Sequence, residues 1–417
     1  MRESPFCGTG VIGKQEIHMD KVGIIGGLRS YIGIENGMYK HTSAEQLGAS
    51  LLRQVIDRYQ LPLRDIDWVI AGNSVAAGGN LARLAMLEAG LPEEIPALTV
   101  DVQCGSGLEA IAIGAAKIES GLADVVIAGG MESCSTKPVR MRNRNHPDYV
   151  EDQTGDKCGL SAADAHNENV YHVAKFAPGR PDELAMLRGA ENVAEVWNMD
   201  IQRLNQYVIT SHRRAAEAAE NRELQNVIAA PCSSCDEGIR PGMSERLLER
   251  LPALVPGGRY VTAGTACLTH DGAAFVVLCS LDYARTHGLE TIAVVEDVVS
   301  AGGNPKRSPE SIIPAIDKLL GRNCLTADRI TAWECNEAFA VIDYLMEERF
   351  GQIGERLNIF GGALAYGHPY GASGGIITLH LLEALKKLDM PEQEQCRYGV
   401  AAVAAAGGVG TAMLLRR

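Results

Sequence analysis

A cysteine, a histidine and an asparagine lie in settings that suit nucleophilic catalysis. Cys104 follows the apolar run Ala97-Leu-Thr-Val-Asp-Val and opens the stretch Cys104-Gly-Ser-Gly, just before a helix of small residues. At a helix start, unpaired N–H groups and the positive end of the dipole favour a thiolate and can hold an oxyanion. Two glycines flanking a serine permit a close backbone approach that packing alone does not require, which separates Cys104 from an ordinary buried cysteine. His368 lies in Gly361-Gly-Ala-Leu-Ala-Tyr-Gly-His-Pro-Tyr-Gly-Ala-Ser-Gly-Gly375, a run too rich in glycine for a helix or strand interior. Held by the following proline, it suits the role of general base for a thiol. Asn336 follows the strand-like run Thr331 to Cys335. It reads either as the N-cap of a helix over Asn336 to Glu348 or as a polar group at the carboxyl edge of a sheet, where open α/β sheets place ligands.

The elements that position these residues follow an alternating α/β rhythm. Strand-like runs occur at Val22 to Ile25, Trp68 to Ala71, Ala123 to Ala128, Ala274 to Leu278, Thr331 to Cys335, Leu357 to Phe360, Val400 to Ala405 and Ala412 to Leu415. A helix is expected from Thr42 or Ser43, with Gln46 completing a capping box and Leu47, Leu51, Leu52 and Val55 on one stripe. Gly105 to Ile118 is apolar all round and reads as a buried helix; Ala372 to Lys387 is a second helix opened by glycine and serine. Cys104-Gly-Ser-Gly is echoed by Tyr370-Gly-Ala-Ser-Gly-Gly, and Ile127-Ala-Gly-Gly by Ala405-Ala-Gly-Gly, which points to an internal duplication. Between Lys137 and Pro252 the composition shifts to a basic, His- and Asn-rich stretch and one amphipathic helix from Asp200, as expected of an inserted subdomain.

Composition narrows the function further. With 417 residues and a net charge of -13, a chain rich in acidic groups is poorly suited to phosphate-backbone binding, so no nucleic acid partner is expected. The 11 cysteines are odd in number and scattered, which suggests reduced thiols and a cytoplasmic protein. Cys232 and Cys235 form a lone Cys-x-x-Cys without a second pair at zinc spacing, so no metal is expected. No apolar run is long enough to span a membrane, and residues 1–18 read as a flexible extension. The first strand-like run is followed by Gly26-Gly27-Leu-Arg-Ser rather than a dinucleotide-binding glycine fingerprint.

Five motifs in order then carry a resemblance: Cys104-Gly-Ser-Gly, Ala128-Gly-Gly-Met-Glu-Ser133, Thr262-Ala-Gly with Asp271-Gly-Ala-Ala274, Asn336-Glu-Ala-Phe-Ala340, and Gly361 to Gly375 with its Gly-His-Pro. Over roughly Lys21 to Arg417 the chain resembles the thiolases, the family of acetyl-CoA acetyltransferases and 3-ketoacyl-CoA thiolases. The resemblance implies a duplicated, five-layered α-β-α-β-α fold. Its N-terminal half would cover 19–136 and 252–288, its inserted loop domain 137–251 and its C-terminal half 289–417. It also implies a homodimer or homotetramer acting on acyl-CoA, with coenzyme A as substrate or product and no covalently bound cofactor. Cys104 would be the acylated nucleophile, His368 its base, and Asn336 the holder of a water that assists an oxyanion hole. Met186 would cover the pocket, and Thr265, Cys267 and Ala406 would line the substrate path. Because the chain is acidic overall, the phosphates of coenzyme A need local positive charge, and Lys137, Arg140, Arg142, Arg144 and Arg188 either supply it or form a solvated loop or subunit contact.

The departures from the family pattern set the alternatives. Where thiolases carry Cys-x-Gly-Gly-Gly-x-Gly, this chain has Ala404-Ala-Ala-Gly-Gly-Val-Gly410, so Ala404 replaces the cysteine that moves a proton at carbon. Ala406 replaces a glycine, and Ala185 stands where a histidine usually precedes the covering methionine. The leading expectation is a carbon–carbon bond-forming or bond-cleaving acyltransferase whose second acid/base comes from elsewhere, with Cys335 a candidate. The alternatives are a thiolase-fold acyltransferase or condensing enzyme with altered chemistry, and a non-catalytic acyl-CoA or lipid-binding subunit.

Overall fold

A computed structural model of the chain describes residues 22–151, 169–171, 173–179, 182–229, 235–351, 353–388 and 396–417. The extension expected over residues 1–18 and the cysteine at Cys232 lie outside the described residues. The strands are β1 (Val22–Arg29), β2 (Gly33–Ile34), β3 (Trp68–Gly72), β4 (Ala97–Val100), β5 (Val125–Ser133), β6 (Arg140–Met141), β7 (Val170–Tyr171), β8 (His270–Ser280), β9 (Ala293–Gly302), β10 (Ile330–Cys335), β11 (Tyr398–Ala405) and β12 (Val409–Arg416). The helices are α1 (Ala44–Tyr59), α2 (Leu81–Glu88), α3 (Ser106–Glu119), α4 (Ala185–Val196), α5 (Ile201–Glu220), α6 (Glu245–Leu248), α7 (Leu281–His287), α8 (Ile312–Arg322), α9 (Val341–Phe350), α10 (Ala363–Tyr366) and α11 (Ser373–Lys387). The start of α1 bears the expected capping contact, the Ser43 amide donating to the Gln46 side chain at 3.0 Å. Asp200 caps α5 by accepting from the Gln202 amide at 3.0 Å.

The main strands run in the order β10-β11-β12-β9-β1-β8-β5-β3-β4, and the two halves of that path follow one plan. In the first, β1 and β8, then β8 and β5, are antiparallel, whereas β5, β3 and β4 run parallel. In the second, β9 and β12, then β12 and β11, are antiparallel, whereas β11 and β10 run parallel. The strand expected at Leu357 to Phe360 does not form. Leu357 makes a single parallel bridge to Trp333, and Asn358 turns left-handed at φ 46°. Its side-chain amide donates to the Cys335 carbonyl at 3.0 Å and accepts from the Cys335 amide at 2.8 Å, taking the place of a strand ladder. The halves are joined along β1 and β9 by only two pairs, Gly23 with Val294 and Ile24 with Ala293.

Period-two alternation assigns each face of each half to a different core. Along β8, Ala274, Val276 and Leu278 face the central cluster, while Ala273, Phe275, Val277 and Cys279 face the cluster formed with α1 and α2. Along β11, Ala401, Val403 and Ala405 face the centre, while Val400, Ala402 and Ala404 face the cluster formed with α8 and α9. Helices α3 and α11 pack on each other in the central layer, giving the order helix, sheet, helix, sheet, helix. Their backbones meet so closely that a Cβ on Gly374 would lie 2.0 Å from the Leu108 amide nitrogen. Only glycine fits there, which explains why both helices open with glycine and serine.

Candidate active site

The nucleophile candidate sits on a sharp turn that its neighbours hold in place. Gln103 adopts a left-handed backbone, φ 51°, a conformation that costs a non-glycine residue about 1 to 3 kcal/mol. Its carbonyl accepts from the Ser106 amide at 3.0 Å, the Ser106 hydroxyl at 2.5 Å and the Ser74 hydroxyl at 2.9 Å. Its own amide donates to Asp101 at 2.9 Å. Cys104 is thereby delivered to the head of α3, where its own amide and that of Ala406 both donate toward its sulfur. Ala406 reaches it because the end of β11 lies against this turn, with a Cβ on Gly105 falling 3.5 Å from that of Ala405.

The electrostatic state of Cys104 differs from the sequence expectation. A helix start predicted a depressed thiol pKa, but burial pushes it up to about 12. The carboxylates of Glu132 and Asp101 raise it further, and the two amides only partly offset this. No imidazolium compensates, because burial, reinforced by His270, pulls His368 down to about 3. The two candidates therefore rest as a neutral thiol and a neutral imidazole.

His368 is 1% exposed and is fixed from several sides. Its Nδ1 lies 2.6 Å from the Ser373 hydroxyl at the start of α11, and its amide donates to His270 Nδ1 at 3.4 Å. Tyr370 stands edge-on to it, with ring centroids 5.0 Å apart and planes at 89°. The Asn336 side-chain nitrogen lies 3.3 Å from Nε2 and 3.4 Å from Nδ1. Asn336 thus lies beside His368, and its reading as a helix cap is overturned. The helix starts only at Val341, because Ala338 to Ala340 are tied to the loop Thr265 to Cys267, with Phe339 bridging Ala266. The Cys267 amide donates to the Ala338 carbonyl at 3.0 Å, and the Ala340 amide donates to the Thr265 carbonyl at 2.9 Å.

Two residues that sequence reasoning passed over register these loops. Glu132, fully buried, accepts from Asn73 at 2.7 Å, Ser74 at 2.9 Å, Val75 at 3.2 Å and the Gly371 amide at 3.0 Å. One carboxyl group thereby ties the loop of His368 to the loop that buttresses Gln103. Burial pushes it up to about 7, against the pull of those amides. Tyr370 is the other, its phenol close enough to Cys104 and Cys267 for electrostatic interaction. The motif position of Glu132 and the aromatic beside Gly-His-Pro were the available signals.

The remaining expected site residues are distributed unevenly. Thr265 uses its hydroxyl within its own loop, donating to the Tyr260 carbonyl at 2.7 Å and accepting from the Thr262 amide at 2.9 Å. Met186 is half-buried in the first turn of α4. Arg188 pairs with Asp182 at 2.9 Å. The basic residues from Lys137 to Arg142 are drawn apart: Lys137 pairs with Glu35 at 2.9 Å, Arg140 donates to the Val75 and Ala76 carbonyls, and Arg142 lies over Tyr171. Cys335 is buried among Glu334, Glu337 and Asp343, in the outer core rather than beside Cys104.

A cleft of about 250 Å³ adjoins the site. Phe176, Ala185 and Pro305 line it together with Lys175, Arg188 and Lys306, and Asp182 is the acidic group in its wall. The Phe176 carbonyl lies 3.1 Å from where a Cβ on Gly407 would stand, so one wall of the cleft rests on the turn that follows Ala406. Among the described residues, no cluster of three metal-binding side chains and no helix long and apolar enough to cross a membrane is present.

Comparisons with known proteins agree with this architecture. The family model described as thiolase, N-terminal domain, matches residues 22–282, and that described as thiolase, C-terminal domain, matches residues 289–417. The candidate acetyl-CoA C-acetyltransferase VraB of Staphylococcus aureus (strain MW2) is 33% identical over 404 residues, covering 96% of this chain and 100% of that protein. The Bacillus anthracis acetyl-CoA acetyltransferase superposes with a TM-score of 0.84 at 28% identity, covering 95% of this chain and 99% of its own. Human mitochondrial 3-ketoacyl-CoA thiolase, in complex with CoA, gives 0.82 at 27% identity over 95% of this chain and 98% of that one.

Proposed function

The chain belongs to the thiolase family, and from that premise we propose that it forms or cleaves the carbon–carbon bond of a 3-ketoacyl-CoA through an acyl thioester on Cys104. The observation that carries this reading is the Ala406 amide aimed at the Cys104 sulfur. His368 takes the thiol proton as the sulfur attacks the substrate carbonyl, and the amides of Cys104 and Ala406 receive the oxygen that becomes negative. Alanine keeps the N–H that a glycine would offer at 406, so this hole survives the substitution. Asn336 and His368 together face the carbonyl oxygen of the second thioester, where an enolate would form. The basic, partly apolar cleft beyond Gly407 supports binding of an anionic thioester, with coenzyme A entering and leaving as substrate and product. A homodimer or homotetramer is the assembly this reading carries with it.

A second reading is favoured by Ala404, a methyl 2% exposed at the end of β11. It holds that the protein transfers acyl groups without moving a proton at carbon. Intact-mass measurement after incubation with acyl-CoA thioesters tests both. An adduct that maps to Cys104 and vanishes in Cys104→Ala is expected, and its absence with every thioester tried refutes acyl transfer.

A further inference from the structure

Ala404 leaves unanswered which group moves a proton at the carbon next to the thioester. Its side chain carries no donor or acceptor and joins the outer apolar cluster with Ala338 and Phe339. Four side chains act electrostatically on Cys104 or are acted on by it: Glu132, Asp101, Tyr370 and Cys267. Glu132 has its oxygens occupied by four N–H donors. Asp101 is exposed and engages the amide and side chain of Gln103. Cys335, the thiol singled out from the sequence, lies among carboxyl groups in the outer core. Tyr370 and Cys267 remain, and they differ in their support. Tyr370 contacts His368 through its ring edge. Cys267, unlike Cys335, is within electrostatic reach of Cys104, and it packs at the edge of the apolar cluster that Ala404 joins. Its loop is stitched to the segment following Asn336 by the bridge of Ala266 with Phe339 and by the hydrogen bonds of Cys267 and Ala340.

We propose that Cys267 is the second acid/base of this active site, acting on the α-carbon in place of the side chain lost at Ala404. The proposal rests on the thiolase-type reading above. In thiolysis, the Cys104 thiolate attacks C3 of the 3-ketoacyl-CoA, the C2–C3 bond breaks, and its electron pair moves onto C2 as the enolate of acetyl-CoA. The Cys267 thiol gives its proton to C2, and acetyl-CoA departs. The Cys267 thiolate then takes the proton of an incoming coenzyme A thiol, whose sulfur attacks the acyl thioester and releases acyl-CoA and the Cys104 thiolate. Condensation is the reverse, with Cys267 removing the C2 proton. Burial keeps the Cys267 thiol protonated at rest, the form that the cleavage direction requires.

The test separates the two half-reactions in the full-length protein. Acylation of Cys104 is read by intact mass, and proton movement at carbon by loss of deuterium from the acetyl group of deuterated acetyl-CoA and by acetoacetyl-CoA thiolysis. Cys267→Ala should still acylate while exchange and thiolysis fall by about 10²-fold or more, the usual contribution of a positioned acid/base. Adding Ala404→Cys to Cys267→Ala should restore exchange, which a merely structural role for Cys267 would not allow. Cys267→Ser, closer in volume, carries the same test if the alanine variant does not fold. Exchange at the wild-type rate in Cys267→Ala overturns the proposal, as does its loss in Tyr370→Phe alone, or loss of acylation in both Cys267 variants. A wild-type protein that acylates but neither exchanges nor cleaves also overturns it, leaving the acyl-enzyme intact. One that never acylates overturns the reading on which it rests.

Discussion

The Ser373 hydroxyl lies 2.6 Å from His368 Nδ1 and donates its own hydrogen to the Pro369 carbonyl at 3.1 Å. A hydroxyl has one hydrogen to give; with it directed at Pro369, the bond to Ser373 is donated by Nδ1 and Nε2 is left as the free base. In the proposed mechanism Ser373 is a positioning residue, holding the tautomer that would deprotonate Cys104. Ser373→Ala should slow acylation of Cys104 by about tenfold, the scale of one lost hydrogen bond. Ser373→Thr, which keeps the hydroxyl, should recover most of it. Acyl-enzyme formation followed by quenched-flow mass measurement gives the answer, and equal rates in all three proteins would remove Ser373 from the mechanism.

A thiol pushed up to about 12 by burial is not preformed as a thiolate at neutral pH. Alkylation of Cys104 by iodoacetamide should accordingly keep rising between pH 7 and pH 10, as peptide mapping of the labelled protein would reveal. A plateau near pH 7 would indicate a thiolate–imidazolium pair and contradict the neutral resting state.

Charge in the cleft should govern how thioesters bind. Arg188 pairs with Asp182 at an exposed site, where such pairs contribute little to folding, so its removal should leave the fold intact. The double change Arg188→Ala with Lys306→Ala should raise the KM for acyl-CoA about tenfold with little change in kcat, and added salt should shrink the difference. An unchanged KM at low salt would move the anion to another surface.

Glu334 is 1% exposed, and its Oε1 has no hydrogen-bond partner. Burial, with Glu337 adding repulsion, raises its pKa well above the usual carboxylate range. A group raised in the folded state contributes stability that is complete below its unfolded pKa, ~4.3 for a glutamate, and is lost as pH rises through the folded value. Glu334→Gln, permanently neutral, should therefore lose less stability than the wild type between pH 5 and pH 8. Urea midpoints at the two pH values measure this, and parallel losses in both proteins would mean that Glu334 does not titrate in this way.

What the sequence made legible was whatever a local pattern encodes. Alternating apolar residues in β8 and β11, the Ser43 and Gln46 pair at α1 and the small residues of α3 and α11 all report their environment within a few positions. Asn336 was ambiguous because a polar residue between a strand and an apolar run fits a cap equally well. The difference lies in Thr265 to Cys267, some seventy positions upstream, whose bridge and hydrogen bonds hold Ala338 to Ala340 and delay the helix to Val341. The thiol of Cys104 misled for a related reason: a helix start is visible in the chain, whereas the depth of burial and the nearby Glu132 are not. Leu357 to Phe360 looked like a strand because a short apolar run does not disclose that Asn358 will bind Cys335 through its side chain.

The two-pair seam between β1 and β9 gives the molecule a built-in assembly checkpoint. Cys104 comes from the first half, while His368, Asn336 and Ala406 come from the second, so neither half holds a working set of groups alone. With so little strand pairing at the seam, the helix crossing at Gly107 and Gly374 carries much of the docking, and it is also what brings the two sets into register. During refolding, acylation competence should return only when the halves have docked, later than the secondary structure within each. Acylation of Cys104, if the proposed reading holds, thus reports the final step of folding.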